Sequence, residues 1–86
     1  MPADVKVYTT GYCPYCDRAK RLLEKKGAAY EEINVMGKPS LRDEMREKAG
    51  GRTSVPQIWI GATHVGGCDD LYELDSAGQL DALLAA

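Results

Sequence analysis

The chain has 86 residues, room for one compact domain that buries about 60% of its unfolded surface, and a single domain over residues 1–86 is expected. Hydrophobic residues make up 44% and charged residues 28%, with a net charge of -2 spread along the chain rather than gathered in blocks, which argues against a nucleic-acid footprint. Residues 1–8 lack the apolar run of a signal peptide, and no stretch approaches the roughly 18 apolar residues that cross a bilayer. The expected setting is a reducing cytoplasm, away from membranes.

The three cysteines do not look like a disulfide framework, because such frameworks use dense, even cysteine counts in oxidising compartments. Their spacing needs another reading. In chain order, Val5-Lys6-Val7-Tyr8-Thr9 is rich in β-branched and aromatic residues and closes at Gly11, which predicts a short strand. The pair Cys13-Pro14-Tyr15-Cys16 follows at once. From Pro14 to Lys26 the chain is helical in pattern, with Ala19, Leu22 and Leu23 on one face, charged residues on the other and Gly27 at the C-terminal cap. Pro14 suits the first turn, where its missing N–H costs nothing.

Residues 30–35 read as a second strand, and two strands joined by a helix imply a right-handed parallel crossover. Ser40 and Asp43 have the spacing of a capping box for a second helix through Leu41, Met45 and Ala49. Gln57-Ile58-Trp59-Ile60 and Thr63-His64-Val65 predict an antiparallel hairpin turning at Gly61-Ala62. After Gly66-Gly67 the chain finishes in helix, 69–74 and 77–84, broken at Ser76–Gly78. The order is βαβαββα: an α/β layer with a mixed four-stranded sheet flanked by helices.

Cys13 falls between a strand end and a helix start, where free backbone N–H groups and the positive helix end favour a thiolate. A free thiol has a pKa of about 8.5, whereas helix N-termini and CxxC placement lower it to roughly 3.5–7.5. Cys13 is therefore read as the nucleophile. Cys16, one helical turn on, comes within bridging reach of it and is read as the resolving thiol. The bland alternative is a pair of cysteines that merely pack.

Val55-Pro56 precedes a strand, where a proline suits a tight turn, including one with a cis bond. Such a turn frees the Val55 backbone to pair with an extended peptide; a simple loop proline is the alternative. Gly66-Gly67 ahead of Cys68-Asp69-Asp70 lets the backbone approach a ligand closely. N–H groups at the helix start there suit a carboxylate, and Asp69 or Asp70 suits an amino group, with plain capping by Asp69 as the alternative. Cys68 reads as a buried or loop thiol outside the chemistry. Tyr8 and Trp59 read as sheet packing.

Tyr8-Thr9, Cys13-Pro14-Tyr15-Cys16, Gly51-Arg52-Thr53-Ser54-Val55-Pro56-Gln57-Ile58 and Gly66-Gly67-Cys68-Asp69-Asp70-Leu71, in this order and spacing, resemble the glutaredoxin family and in particular its small dithiol bacterial members. The resemblance runs nearly end to end. It implies a thioredoxin fold, a role in electron transport and redox homeostasis, and glutathione-dependent reduction of protein disulfides and glutathione mixed disulfides. Glutathione would be the reducing co-substrate, with no tightly bound cofactor and no metal, and the partners would be disulfide-bearing or glutathionylated proteins met by a monomer.

By position, the resemblance implies that Cys13 attacks and that Tyr15 flanks the bound tripeptide. Val55 would pair with the tripeptide's backbone beside a cis Pro56, and Ser54 and Gly67 would complete the groove. Cys68 and Asp69 would hold its γ-glutamyl end, and Arg42 would meet the glycine carboxylate. Ser54 stands where threonine is common and keeps the hydroxyl. Many members carry a lysine three residues before the nucleophile, and this chain has Thr10. The acidity of Cys13 then falls mainly to the helix end, with Arg18, Lys20 and Arg42 as neighbouring cations.

Two rival readings come from other classes. A zinc-binding module would use Cys13, Cys16, His64 and Cys68, but the 47 residues between Cys16 and His64 hold a whole helix-strand-helix pattern, unlike compact zinc modules. An iron-sulfur cluster carrier would share a cluster through the nucleophile and glutathione, against which Pro14 counts. Thioredoxin-like reduction by a flavoprotein reductase is the nearer variant within the same chemistry.

Overall fold

The computed structural model describes residues 3–86. Its elements are β1 (Val5–Thr9), α1 (Pro14–Lys25), β2 (Glu31–Asn34), α2 (Pro39–Lys48), β3 (Gln57–Ile60), β4 (Thr63–Gly66), α3 (Cys68–Ser76) and α4 (Leu80–Ala85). The sheet is four-stranded in the order β2-β1-β3-β4. β1 pairs parallel to β2 and antiparallel to β3, and β3 pairs antiparallel to β4. The mixed sheet follows from the connections: a helix carries the chain back between β1 and β2, while the short turn after Ile60 returns it antiparallel.

Period-two alternation sorts the strands between two cores. Val5, Val7, Ile58 and Ile60 face Ala19, Leu22 and Leu23 of α1, Leu71 of α3 and Leu80 of α4. Tyr8 faces the opposite way, with Val35 just after β2 and Met45 of α2, and Ile33, Leu41, Val55 and Trp59 pack around them. Three helices thus cover one face of the sheet and α2 the other. Each fully buried leucine contributes about 1.5–3 kcal/mol of apolar transfer.

The predicted elements form, with shifts at their ends. β2 is shorter than residues 30–35, and β4 extends to Gly66. Gly27 follows α1 with φ 72°, the left-handed conformation that ends a helix. The predicted capping box at Ser40 and Asp43 does not form. Pro39 occupies the first helical position behind Lys38, so Ser40 lies inside the helix and Asp43 accepts a hydrogen bond from Arg46 instead. The break near Ser76–Gly78 is present and divides the C-terminal segment into two helices rather than one.

Candidate active site

β1 delivers the chain from the middle of the sheet into the Cys13–Cys16 segment. Cys13 is the N-cap of α1, extended at φ -151° and ψ 96°, and Pro14 supplies the first helical residue. The Cys16 N–H donates to Cys13 Sγ at 3.1 Å, and the Asp17 N–H donates to the Cys13 carbonyl at 3.1 Å. The sulfur therefore takes the place that a Ser or Asp oxygen takes at an ordinary helix start. The two cysteines are joined by a disulfide, with Cα atoms 5.2 Å apart. Cys16 is 1% exposed, whereas Cys13 is half-buried. An incoming sulfur reaches Cys13 first.

Opposite this sulfur stands the turn before β3. Cys13 Sγ lies 3.9 Å from the Val55 carbonyl oxygen, and the Val55–Pro56 bond is cis. A groove of about 170 Å³ runs from here to the start of α3, lined by Tyr15, Ser54, Val55, Pro56, Gly67, Cys68 and Asp69, with Arg52 and Asp70. Eight of these residues, all but Arg52, are ones singled out from the sequence. Arg42 does not line it; its Nη2 donates to the Thr53 carbonyl at 3.4 Å, beside the turn. A larger surface hollow, about 840 Å³, is bordered by Ala3, Lys26, Tyr30 and Leu84 and shares no lining residue with this groove.

The two acids at the start of α3 are not equivalent. Asp70, not Asp69, makes the cap: its Oδ2 accepts the Gly67 N–H at 2.8 Å and Arg52 Nη2 at 3.3 Å. The Gly67 N–H bond and, behind it, Arg52 hold this carboxyl below the usual aspartate value, against the upward push of burial. Asp69 stays exposed on the same turn. Cys68 is buried at the first helical position, and burial pushes its thiol up, with Arg18 pulling the other way. A thiol raised in this manner is a poor nucleophile at neutral pH.

Arg52 is the lining residue to which the sequence assigned no role. It sits 18 residues from Asp70, and no local spacing links them. The cations near Cys13 have partners of their own: Arg18 lies over the rings of Tyr15 and Tyr72, and Lys20 bridges Glu32 at 3.2 Å and Asp17 at 3.5 Å. The donor observed at Cys13 Sγ is the Cys16 amide. His64 Nε2 faces Gln57 Oε1 at 2.8 Å, so it is not turned toward the cysteines as a zinc ligand would be. Among the described residues no group of three His, Cys, Asp or Glu side chains is placed to hold a metal ion.

Solved structures match this arrangement. A glutaredoxin from Brucella melitensis aligns with TM-score 0.86 and 55% identity, over 98% of this chain and 90% of that one. A buckwheat glutaredoxin–glutathione complex aligns with TM-score 0.86 and 31% identity, over 93% of this chain and 74% of that one. A thioredoxin fold that sets a CxxC pair at the start of its first helix makes the molecule a thiol-disulfide oxidoreductase. The glutaredoxin family model matches residues 5–65, and a glutaredoxin of Pseudomonas aeruginosa is 63% identical over 82 residues, 95% of this chain and 96% of that protein. The chain belongs to the glutaredoxin family.

Proposed function

We propose that the chain is a glutathione-dependent reductase of protein disulfides and of glutathione mixed disulfides, acting in the cytoplasm as one monomeric domain. The observation that carries this reading is the asymmetry of the pair: Cys13 is half-buried at a helix N-terminus, its Sγ 3.9 Å from the carbonyl of the groove residue Val55, and Cys16 is buried. In the reduced protein the Cys16 amide and the helix end favour a thiolate on Cys13. That thiolate attacks one sulfur of a substrate disulfide, forms a mixed disulfide and expels the other sulfur as a thiolate. Cys16, losing its proton, then attacks Cys13 Sγ, closes the internal disulfide and releases the reduced substrate.

Two glutathione molecules restore the pair. The first, as thiolate, attacks Cys13 Sγ and expels Cys16; the second attacks the glutathione sulfur of the resulting mixed disulfide, leaving glutathione disulfide and the Cys13 thiolate. The groove suits a tripeptide in extended form. Val55 offers backbone pairing, Tyr15 a flanking ring, and Ser54, Pro56 and Gly67 the floor. The free N–H groups at the start of α3, that of Cys68 included, suit the γ-glutamyl carboxylate, and exposed Asp69 suits its amino group. Arg42, beside the turn, is the cation for the glycine carboxylate. The buckwheat protein, solved as a complex with glutathione, supports this choice of ligand. Among the described residues no helix is long and apolar enough to cross a membrane.

Two substitutions separate the roles of the cysteines. Cys13→Ser is expected to abolish all exchange. Cys16→Ser is expected to keep reduction of glutathione mixed disulfides while losing reduction of protein disulfides, measured with glutathione and its reductase. Near-normal turnover by the Cys13→Ser protein would overturn the reading.

A further inference from the structure

Building on the glutathione reading, we propose that His64 and Gln57 are positioning residues that set the substrate-binding turn 54–56 through a fixed chain of hydrogen bonds. β3 and β4 pair with Trp59 opposite His64, next to a register irregularity between Ile58 and Trp59. Gln57 and Trp59, two residues apart, share one face of the sheet. His64 stacks on the Trp59 ring at 4.5 Å and 25°, which carries its Nε2 to within 2.8 Å of Gln57 Oε1. The Gln57 side chain is fully buried, so both ends of its amide need partners.

The orientation of that amide follows from its other end. Gln57 Nε2 donates to the Ser54 carbonyl at 2.9 Å and approaches Ser54 Oγ at 3.2 Å. A carbonyl cannot donate, so the nitrogen faces Ser54 and the oxygen faces His64. The histidine must then present an N–H there, which fixes the proton on Nε2. Neutral and protonated imidazole both meet this demand, so the chain His64–Gln57–Ser54 survives titration of the ring. Ser54 is bonded directly to Val55, whose carbonyl lies 3.9 Å from Cys13 Sγ. Ordering this turn before the ligand arrives removes an entropy cost from binding. A leucine would fill the Gln57 site without polar demands; the amide ties exposed Ser54, the start of the turn, to the sheet.

The test uses the full chain, the mixed disulfide of glutathione and 2-mercaptoethanol as probe, and glutathione with its reductase as the donor system. Gln57→Leu is expected to raise KM about tenfold with kcat within about twofold, the signature of lost binding without lost chemistry. His64→Phe keeps a ring on Trp59 but frees the amide, and should raise KM about threefold. The double variant should be no worse than Gln57→Leu alone, because both act through one chain of bonds. His64→Gln restores an N–H donor and should return KM toward the parent value. An unchanged KM in folded Gln57→Leu and His64→Phe proteins, or no difference between His64→Gln and His64→Phe, overturns the proposal. If Gln57→Leu does not fold, the two variants at half-buried His64 decide the matter alone. No turnover by the parent protein with glutathione would defeat the glutathione reading and this proposal with it, a result distinct from an unmoved KM.

Discussion

Asp69 and Asp70 are neighbours in sequence and differ in every physical respect. Asp70 is held by the Gly67 N–H and by Arg52, which lowers its pKa in the folded chain. A carboxyl with a depressed folded pKa contributes stability that is present above its unfolded value, about 3.9, and is lost as the pH falls through the lower folded value. Asp70→Asn keeps an oxygen for the Gly67 N–H but removes the charge. With the parent side chain 40% exposed, screening keeps the expected loss near neutrality to about 0.5–1 kcal/mol. That deficit should shrink below about pH 4, as the parent protein loses the same contribution. Urea melts at neutral and acid pH measure both values. The sequence places both acids in the first turn; Asp70, three residues after Gly67, holds the capping-box position that bonds back to the Gly67 N–H, whereas its second partner, Arg52, is 18 residues away and belongs to no local spacing.

Elements were legible where their periodicity was strong and their ends were punctuated. The two faces of β1 and the stripe Ala19-Leu22-Leu23 were plain, because alternation and helical spacing record which side is buried. At the start of α2 the capping spacing of Ser40 and Asp43 misleads, because Pro39, with φ already set for a helix and no N–H to satisfy, takes the first helical position and moves the first turn two residues earlier. The link from His64 to Gln57 has no sequence signal, since it is a diagonal contact across the β3–β4 hairpin between residues that are not direct partners, and many diagonal pairs do not touch. The junction of β4 and α3 is the least forgiving connection. Gly66 has φ 110°, and a Cβ there would run into the Asp70 carboxylate and come within 2.7 Å of Arg52 Nη1. Gly66→Ala combines backbone strain with that collision and should cost about 1–3 kcal/mol. Scanning calorimetry should show a Tm lower by roughly 5 °C or more.

The whole molecule is a sheet between unequal layers, with its larger core under α1, α3 and α4. Leu23 has no exposed surface and sits where α1 meets that core. Leu23→Ala should cost about 2–5 kcal/mol, a large part of the roughly 4–13 kcal/mol that stabilises a domain of this length. The denaturant midpoint should fall with little change in slope.

The strand order has a consequence for how the protein is made. β1, which carries the dithiol at its end, lies between β2 and β3, so one of its neighbours and nearly all of the groove wall come from residues 52–70, the later part of the chain. During vectorial synthesis the cysteine pair emerges from the ribosome well before the turn and helix start that will face it. For that interval it is a dithiol without its facing wall, and until α1 forms it has the pKa of an ordinary thiol, about 8.5. The wall opposite the dithiol is therefore the last part of the site to be synthesised, and β1 gains its second neighbour only when β3 has been made.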